Sequence, residues 1–108
     1  MRQLLQYLNA NSPYYKNLFS ALKIDLDSIQ TLDDLSKLPT TSKTDLQENN
    51  DAFFCVPKEE IIDFATTSGT LGSPVIFGLT DKDLDRLAYN EAISFACAGI
   101  EKGDVVQL

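Results

Sequence analysis

Apolar residues recur at helical spacing through the first part of the chain. Those among residues 4–8 predict a short opening helix, which residues 9–11 (Asn-Ala-Asn) interrupt. Ser12 is a residue type that caps helix N-termini, and Pro13 suits the first helical position. A second helix is therefore predicted from Pro13 onward, with an apolar face made of Tyr14, Tyr15, Leu18, Phe19 and Leu22.

A hydroxyl residue is followed three positions later by an aspartate in three places, at residues 31–34, 42–45 and 80–83. This arrangement is a variant of the capping box, in which a hydroxyl and a carboxylate bind the backbone N–H groups at a helix start. The first box predicts a short helix that ends before Pro39, and the second predicts another short helix. The third predicts a longer helix from about Asp81 to Ala98.

The second half of the chain changes from helical to strand-like patterning. Residues 60–66 and 74–79 predict two strands around a loop rich in Gly, Ser and Thr. Gly99 is the expected stop of the last helix, and residues 105–108 have the pattern of a strand start. Because an apolar strand edge needs neighbours, we expect the C-terminus to be a cut in a longer chain.

These elements predict an α/β fold in one unit, residues 1–108. Residues 1–50 are expected to form a helical section, and residues 51–108 to run strand, loop, strand, packing helix and strand start. With 108 residues, 44% of them hydrophobic and 23% charged, the chain has the size and composition of a globular domain. Its net charge of −7, spread along the sequence, argues against a nucleic-acid or membrane partner.

The histidine and cysteine contents exclude several kinds of site. The chain has no histidine, which excludes histidine-based triads, histidine-ligated zinc and a histidine general base. Cys55 and Cys97 lie far apart, outside any CxxC pattern, and are expected to be buried thiols. Residues 1–7 are too few and too polar for a signal peptide or membrane span, so a cytoplasmic location is expected.

Residues 66–74, Thr-Thr-Ser-Gly-Thr-Leu-Gly-Ser-Pro, carry the candidate chemistry. Small hydroxyl side chains and two glycines offer convergent O–H and N–H donors, which suit a polyphosphate. The segment is not a Walker A loop, because Ser73 stands where that motif requires lysine, nor a dinucleotide fingerprint, because it leads into a strand. Without a histidine, a nucleophilic role for Ser68 is disfavoured. The alternative from the residues alone is a tight turn.

Residues 67–74 resemble the phosphate-binding loop of adenylate-forming enzymes, whose usual form is (S/T)SGTTG(x)P, and in particular that of the phenylacetate–CoA ligase branch. Residues 13–19 resemble the P-x-Y helix near the start of that branch. Residues 32–46 are similar to its LEDL..LP..TK.DL stretch, and residues 99–107 to its G(V)..GD.VQ segment. The resemblance covers nearly the whole chain in order, and it implies an N-terminal fragment of a larger ligase domain.

The loop departs from the family pattern at three positions. Leu71 stands where the family usually has a second threonine, which removes one hydroxyl donor. Ser73 replaces a frequent lysine, and Val75 stands where many acyl-CoA synthetases have another. The resemblance therefore implies an ATP site with little positive charge of its own. Two consequences are open: weaker ATP binding, or a larger share of the charge neutralisation by Mg²⁺; neither excludes activity.

Enzymes of this family join a carboxylic acid to ATP, release pyrophosphate, and pass the acyl group from the acyl-adenylate to coenzyme A. The resemblance thus implies ATP, Mg²⁺ and coenzyme A as cofactors, and an aryl or acyl carboxylic acid as substrate. It places the family's catalytic lysine and magnesium-binding acid after Leu108, so this chain has no assigned catalytic or metal residue and is expected to be inactive alone. Carried over by position, the phosphate-binding residues are Thr67, Ser68, Gly69, Thr70 and Gly72.

A hypothesis from another class is a small acidic interaction module that binds a basic partner, with the loop acting only as a turn. Binding of anions at the loop would separate this module from the ligase. Under either hypothesis, exposed apolar edges are expected to favour a homo-oligomer.

Overall fold

The computed structural model describes residues 1–68, 73–105 and 107. Its helices are α1 (Arg2–Asn11), α2 (Pro13–Ala21), α3 (Lys43–Glu48) and α4 (Asp81–Cys97), and its strands are β1 (Asp63–Thr66) and β2 (Ile76–Leu79). Short 3₁₀ turns lie at Leu26–Ser28, Asp33–Lys37, Asn50–Phe53 and Lys58–Glu60. The predicted α/β order, a helical section followed by a small β region and a helix, is confirmed.

The junction between α1 and α2 differs from the prediction. α1 does not break at residues 9–11 but continues to Asn11. The Asn11 side chain donates to the Tyr7 carbonyl at 2.8 Å and so supports the last turn. The helix ends because Pro13 restricts the residue before it to extended backbone, and Ser12 has φ −98° and ψ 115°.

The helix starts agree with the predicted capping residues. Oγ of Ser12 accepts a hydrogen bond from the Tyr15 N–H at 3.4 Å at the start of α2. Reciprocal capping boxes open α3 at residues 42–45 and α4 at residues 80–83. At residues 31–34, the N–H and hydroxyl of Thr31 donate to the Asp34 carboxylate at 2.9 and 2.8 Å. This box lies at the start of the 3₁₀ turn Asp33–Lys37 and not of an α-helix.

α2 and α4 end in the same hydrogen-bonding motif. At the end of α4, Gly99 has a φ of 79°, and the N–H groups of Gly99 and Ile100 donate to Ala96 and Phe95, each at 3.0 Å. The predicted stop at Gly99 is confirmed. α2 closes in the same way around Lys23, whose φ of 51° is in the left-handed region that a glycine adopts more readily.

The hydrophobic core lies in the helical section. Leu5, Phe19 and Ile29 are its buried centre, with 6%, 5% and 1% of their surface exposed. Five partly buried apolar residues pack against this centre: Leu8, Tyr15, Ile24, Leu26 and Leu38. The core therefore joins α1 and α2 to the segment that follows them.

β1 and β2 form an antiparallel hairpin, in which Thr66 is opposite Ile76 and Asp63 is opposite Leu79. Both strands are shorter than predicted. The first begins later because residues 58–60 form a 3₁₀ turn, and the second begins after Pro74, which has no N–H to donate to a partner strand.

α4 is exposed along most of its length, with Asp83 and Leu84 half-buried in its first turn. The structure describes every residue of α4, and none is buried. Four of its large apolar residues have between 42% and 67% of their surface exposed to solvent: Leu87, Tyr89, Ile93 and Phe95. The prediction that Cys97 is a buried thiol is wrong, because this residue is exposed at the end of α4, whereas Cys55 is half-buried.

The chain is elongated. Its radius of gyration is 17.8 Å, whereas a compact domain of 100 residues has about 13 Å. No helix in the described part of the chain has the length and apolarity needed to cross a bilayer. Of the strand start predicted at residues 105–108, Val105 is exposed, and residues 106 and 108 lie outside the described residues.

Candidate functional site

The loop between β1 and β2 is the candidate site. Of the five residues predicted to bind phosphate, the structure describes Thr67, which is half-buried, and Ser68, which is exposed. The other three, Gly69, Thr70 and Gly72, lie outside the described residues. The phosphate-binding role of all five therefore stays a prediction, while the geometry of the two ends of the loop is defined.

Thr67 and Val75 form the neck of the loop. The Thr67 N–H donates to the Val75 carbonyl at 3.0 Å, and Thr67 Oγ1 accepts from the Val75 N–H at 3.1 Å. Val75 is 2% exposed, so its side chain anchors the neck. Thr67 thus uses its hydroxyl oxygen to hold the loop closed, and Ser68 is the first residue beyond the neck.

Asn50 binds the strand that leaves the loop. Its Nδ2 donates to the Ile76 carbonyl at 2.7 Å, and its Oδ1 accepts from the Ile76 N–H at 2.7 Å. Gln47 adds a second contact, because its Nε2 donates to the carbonyl of Ser73. Neither residue was predicted from the sequence, because hydrogen-bond partners 26 positions apart leave no local pattern.

The turn that carries Asn50 is anchored to the helical core. Ser12 Oγ donates to the Ala52 carbonyl at 3.0 Å, and Ser12 is 1% exposed. The ring of Phe53 stacks on that of Tyr14, with 3.9 Å between centroids and 23° between planes. A continuous set of contacts therefore connects α2, the turn Asn50–Phe53 and the start of β2.

Few charges accompany the loop. Between Ile61 and Thr80 the only charged side chain is that of Asp63. Within the described residues, no group of three or more Asp, Glu, Cys or His side chains is placed to hold a metal ion. Within its own sequence, the loop therefore offers N–H and O–H donors to an anion and no cationic side chain.

A groove of about 710 Å³ lies apart from the described loop residues. Its lining includes Tyr7, Cys55, Glu59, Glu60, Thr80 and Lys82. Burial raises the pKa of the Cys55 thiol, so the thiol stays protonated at neutral pH and is a poor nucleophile. The acidic lining disfavours a phosphate ligand, and the groove adds no donors to the candidate loop.

Comparisons with known proteins give relatives that align with all or nearly all of this chain. No protein-family model matches it. The chain is 36% identical over 109 aligned positions to the phenylacetate–coenzyme A ligase of Pseudomonas putida, covering 100% of this chain and 25% of that enzyme. It is 37% identical over 99 positions to the phenylacetate–coenzyme A ligase of Aromatoleum evansii, covering 91% of this chain and 22% of that enzyme.

A solved structure agrees with these sequence relatives. The crystal structure of 2-hydroxyisobutyryl-CoA ligase, in the postadenylation state in complex with 2-HIB-AMP, superposes with a TM-score of 0.78 and 28% identity. That match covers 95% of this chain and 22% of the other. The chain spans about a quarter of the length of the curated relatives that it matches. By sequence and by fold, the chain is similar to one part of the phenylacetate–coenzyme A ligases and of a related CoA ligase.

Proposed function

We propose that this chain is part of an ATP-dependent, AMP-forming acid–CoA ligase, and that its β1–β2 loop binds the phosphates of ATP. The relatives are CoA ligases, and the solved relative contains the acyl-adenylate 2-HIB-AMP, which support adenylate formation. The observation that carries the assignment of the loop is its neck. Thr67 and Val75 hold the two ends together, and Ser68 follows in an exposed position.

In the proposed reaction, a carboxylate oxygen of the acid bonds to the α-phosphorus of ATP, and the bond to the departing pyrophosphate breaks. Negative charge grows on the β- and γ-phosphate oxygens, so donors that bind them stabilise the transition state. We assign the hydroxyls of Ser68 and Thr70 as such donors. Gly69 and Gly72 are proposed to allow a close approach of the backbone to the phosphates, because glycine has no Cβ. Thr67 supports the site from the neck.

The proposal includes Mg²⁺ bound to the nucleotide and coenzyme A as the acceptor of the acyl group. The sulfur of the coenzyme A thiol would bond to the acyl carbon of the acyl-adenylate, and the bond from that carbon to AMP would break. The substrate is proposed to be an aryl or acyl carboxylic acid, the class that the names of the relatives indicate for those enzymes. The net charge of −7 supports a protein without a nucleic-acid or membrane partner, and we propose a cytoplasmic location.

We propose that the chain alone does not complete the reaction. It spans about a quarter of its relatives' length, and its described residues offer no metal-binding cluster. Incubation of the purified chain with MgATP, coenzyme A and a panel of carboxylic acids is expected to give no acyl-adenylate and no thioester by mass spectrometry. A Ser68→Ala/Thr70→Ala variant purified in parallel is the control. If the unmodified chain gives either product and this variant does not, this part of the proposal is wrong.

The loop assignment is tested by NMR on the isotopically labelled chain titrated with MgATP. We expect shift changes centred on residues 67–72 that disappear in Ser68→Ala/Thr70→Ala. Ser94→Ala is the matched control, because the Ser94 hydroxyl donates within α4 to the Asn90 carbonyl at 3.0 Å. Shifts that survive in the double variant, or that centre elsewhere, would contradict phosphate binding by the loop.

The second candidate is an acidic interaction module, in which the loop is only a turn. The observation that favours it is the exposure of apolar side chains on α4, including Ile93 at 46% and Tyr89 at 67%. A basic protein partner that binds this helix, in a chain whose loop gives no response to MgATP, would support the module over the ligase.

A further inference from the structure

We propose that Asn50, with Gln47, is a positioning residue for the phosphate loop. The two side chains hold residues 73–76, the segment by which the loop enters β2. This inference rests on the proposed function of the loop and adds residues that act on it through the backbone, without touching the phosphates themselves.

The hairpin register explains why Ile76 needs a partner outside the sheet. Thr66 and Ile76 are opposite each other, and the bond from the Thr67 N–H to the Val75 carbonyl lies beside them. This is the non-hydrogen-bonded type of antiparallel pair, in which the N–H and C=O of Ile76 point away from β1. Asn50 satisfies both groups with bonds of 2.7 Å, as a residue of a third strand would.

Contacts from two directions fix the segment that follows the loop. Gln47 binds the Ser73 carbonyl, Thr67 binds Val75 across the neck, and Asn50 binds Ile76. Pro74 lies between these contacts, and its ring restricts its own φ. Residues 73–76 therefore have little freedom left, although they adjoin a loop rich in glycine.

Asn50 holds the segment in place because its own turn is anchored to the core. The Ala52 carbonyl accepts from the buried Ser12 hydroxyl, and Phe53 stacks on Tyr14 at 3.9 Å. The outgoing end of the loop thus has a defined position relative to α2, and not only relative to β1.

A fixed outgoing end lowers the entropy cost of binding an anion at the loop, because residues 73–76 are already held in place. Loss of the Asn50 side chain would leave the N–H and C=O of Ile76 to solvent and release this end. Two measurements follow from that reasoning: amide exchange at Ile76 should become faster, and the affinity for MgATP should fall.

The test compares Asn50→Ala with Asn49→Ala in the full chain, after circular dichroism has shown that both are folded. Asn49 is the matched control, because it is the neighbouring asparagine and its Nδ2 donates to the Asp45 carbonyl of α3 at 3.2 Å, not to the loop. Gln47→Ala is a second, milder variant, since it removes one contact and leaves both bonds of Asn50 in place.

We expect Asn50→Ala to speed exchange of the Ile76 amide by about tenfold, the scale for one lost net hydrogen bond. The MgATP dissociation constant, read from the loop shifts, should rise several-fold, and Gln47→Ala should shift it in the same direction by less. Asn49→Ala should change neither quantity.

If the Ile76 amide exchanges at the same rate in Asn50→Ala as in the unmodified chain, the inference is wrong, whether or not the MgATP affinity changes. Faster exchange with unchanged MgATP affinity would also overturn it, because Asn50 would then be structural only. The proposed function fails separately: if the unmodified chain gives no loop shifts with MgATP, the phosphate site is rejected and the positioning role with it. The exchange data would still define the contact with Ile76.

Discussion

The Ser12 hydroxyl donates to the Ala52 carbonyl at 3.0 Å, across 40 residues of sequence. The same oxygen accepts from the Tyr15 N–H and caps α2. Because Ser12 is 1% exposed, both bonds are shielded from water. One small side chain therefore joins the start of α2 to the turn that carries Asn50.

Ser12→Ala is expected to lower the free energy of unfolding by about 2 kcal/mol, from loss of the cap and of a partner for a shielded carbonyl. Urea denaturation measures this change. Ser20→Ala, at an exposed position of α2, is the control and should stay within about 0.5 kcal/mol of the unmodified chain. Equal losses in the two variants would contradict the double role of Ser12.

Lys23→Gly is expected to stabilise the chain by about 1 kcal/mol, because a φ of 51° is strained for lysine and relaxed for glycine. Lys16→Gly, in the middle of α2, should destabilise by about the same amount, since glycine there loses more backbone entropy. Opposite shifts in melting temperature are the expected result, and a loss of stability in both variants would argue against strain at Lys23.

Gly78→Ala is expected to destabilise the hairpin by about 1–2 kcal/mol, because the new Cβ would come within 2.7 Å of Ile61 Cδ1. Ile61→Val removes that methyl group. The double variant Gly78→Ala/Ile61→Val should therefore lose less stability than the sum of the two single changes, as measured by chemical denaturation. Simple additivity would show that the two positions do not compete for space.

Acid is expected to weaken the starts of α3 and α4. Hydrogen bonds from the side chain and backbone of Ser42 lower the pKa of Asp45, and those from the backbone and side chain of Thr80 lower that of Asp83. Groups with a lowered folded pKa stabilise the fold above the unfolded value of about 3.9, and this contribution is lost as pH falls through the folded pKa.

The measurement for this acid effect is the free energy of unfolding between pH 7 and pH 2. Asp83→Asn should reduce stability at neutral pH and flatten the loss below pH ~4. Asp85→Asn, on the same helix but outside the capping box, is the control and should keep the full acid dependence. If the free energy of unfolding depends on pH in the same way in the two variants, the capping box is not the source of the acid effect.

Self-association is expected through α4, because its large apolar side chains are exposed in the described structure. Sedimentation at increasing concentration should show a rising average mass, and Ile93→Lys should reduce it. Asn17→Lys adds the same charge at an exposed position of α2 and should not. A monomer at all concentrations would contradict this expectation.

The sequence predicted the elements whose interactions are local. The boxes at 42–45 and 80–83 and the stop at Gly99 depend on residues at most five positions apart, so their patterns are readable. The break expected at residues 9–11 was wrong, because asparagine's weak helix propensity is outweighed by packing of α1 in the core. The expected burial of Cys97 was wrong because burial depends on distant neighbours.

The candidate site was predicted only in part for the same reason. The composition of residues 66–74 identified the loop and the strands beside it, but not the bonds that hold its ends. Asn50 and Gln47 bind backbone atoms of Ile76 and Ser73 at the far end of the loop. Almost any residue would present the same backbone atoms at these two positions; only a proline at position 76 would lack the N–H group. Nothing in their own sequence context indicates that partner.

Buried side chains are concentrated in the helical section of the chain and are absent from its last helix. Leu5, Phe19 and Ile29 pack together within the helical section, whereas no residue of α4 is buried. A change in the helical core acts on contacts that the chain makes with itself, and it alters how tightly the chain folds. A change on the exposed apolar side chains of α4 disturbs no buried contact of the chain. The same loss of a methyl group is thus expected to lower the free energy of unfolding at Ile29 and to leave it nearly unchanged at Ile93.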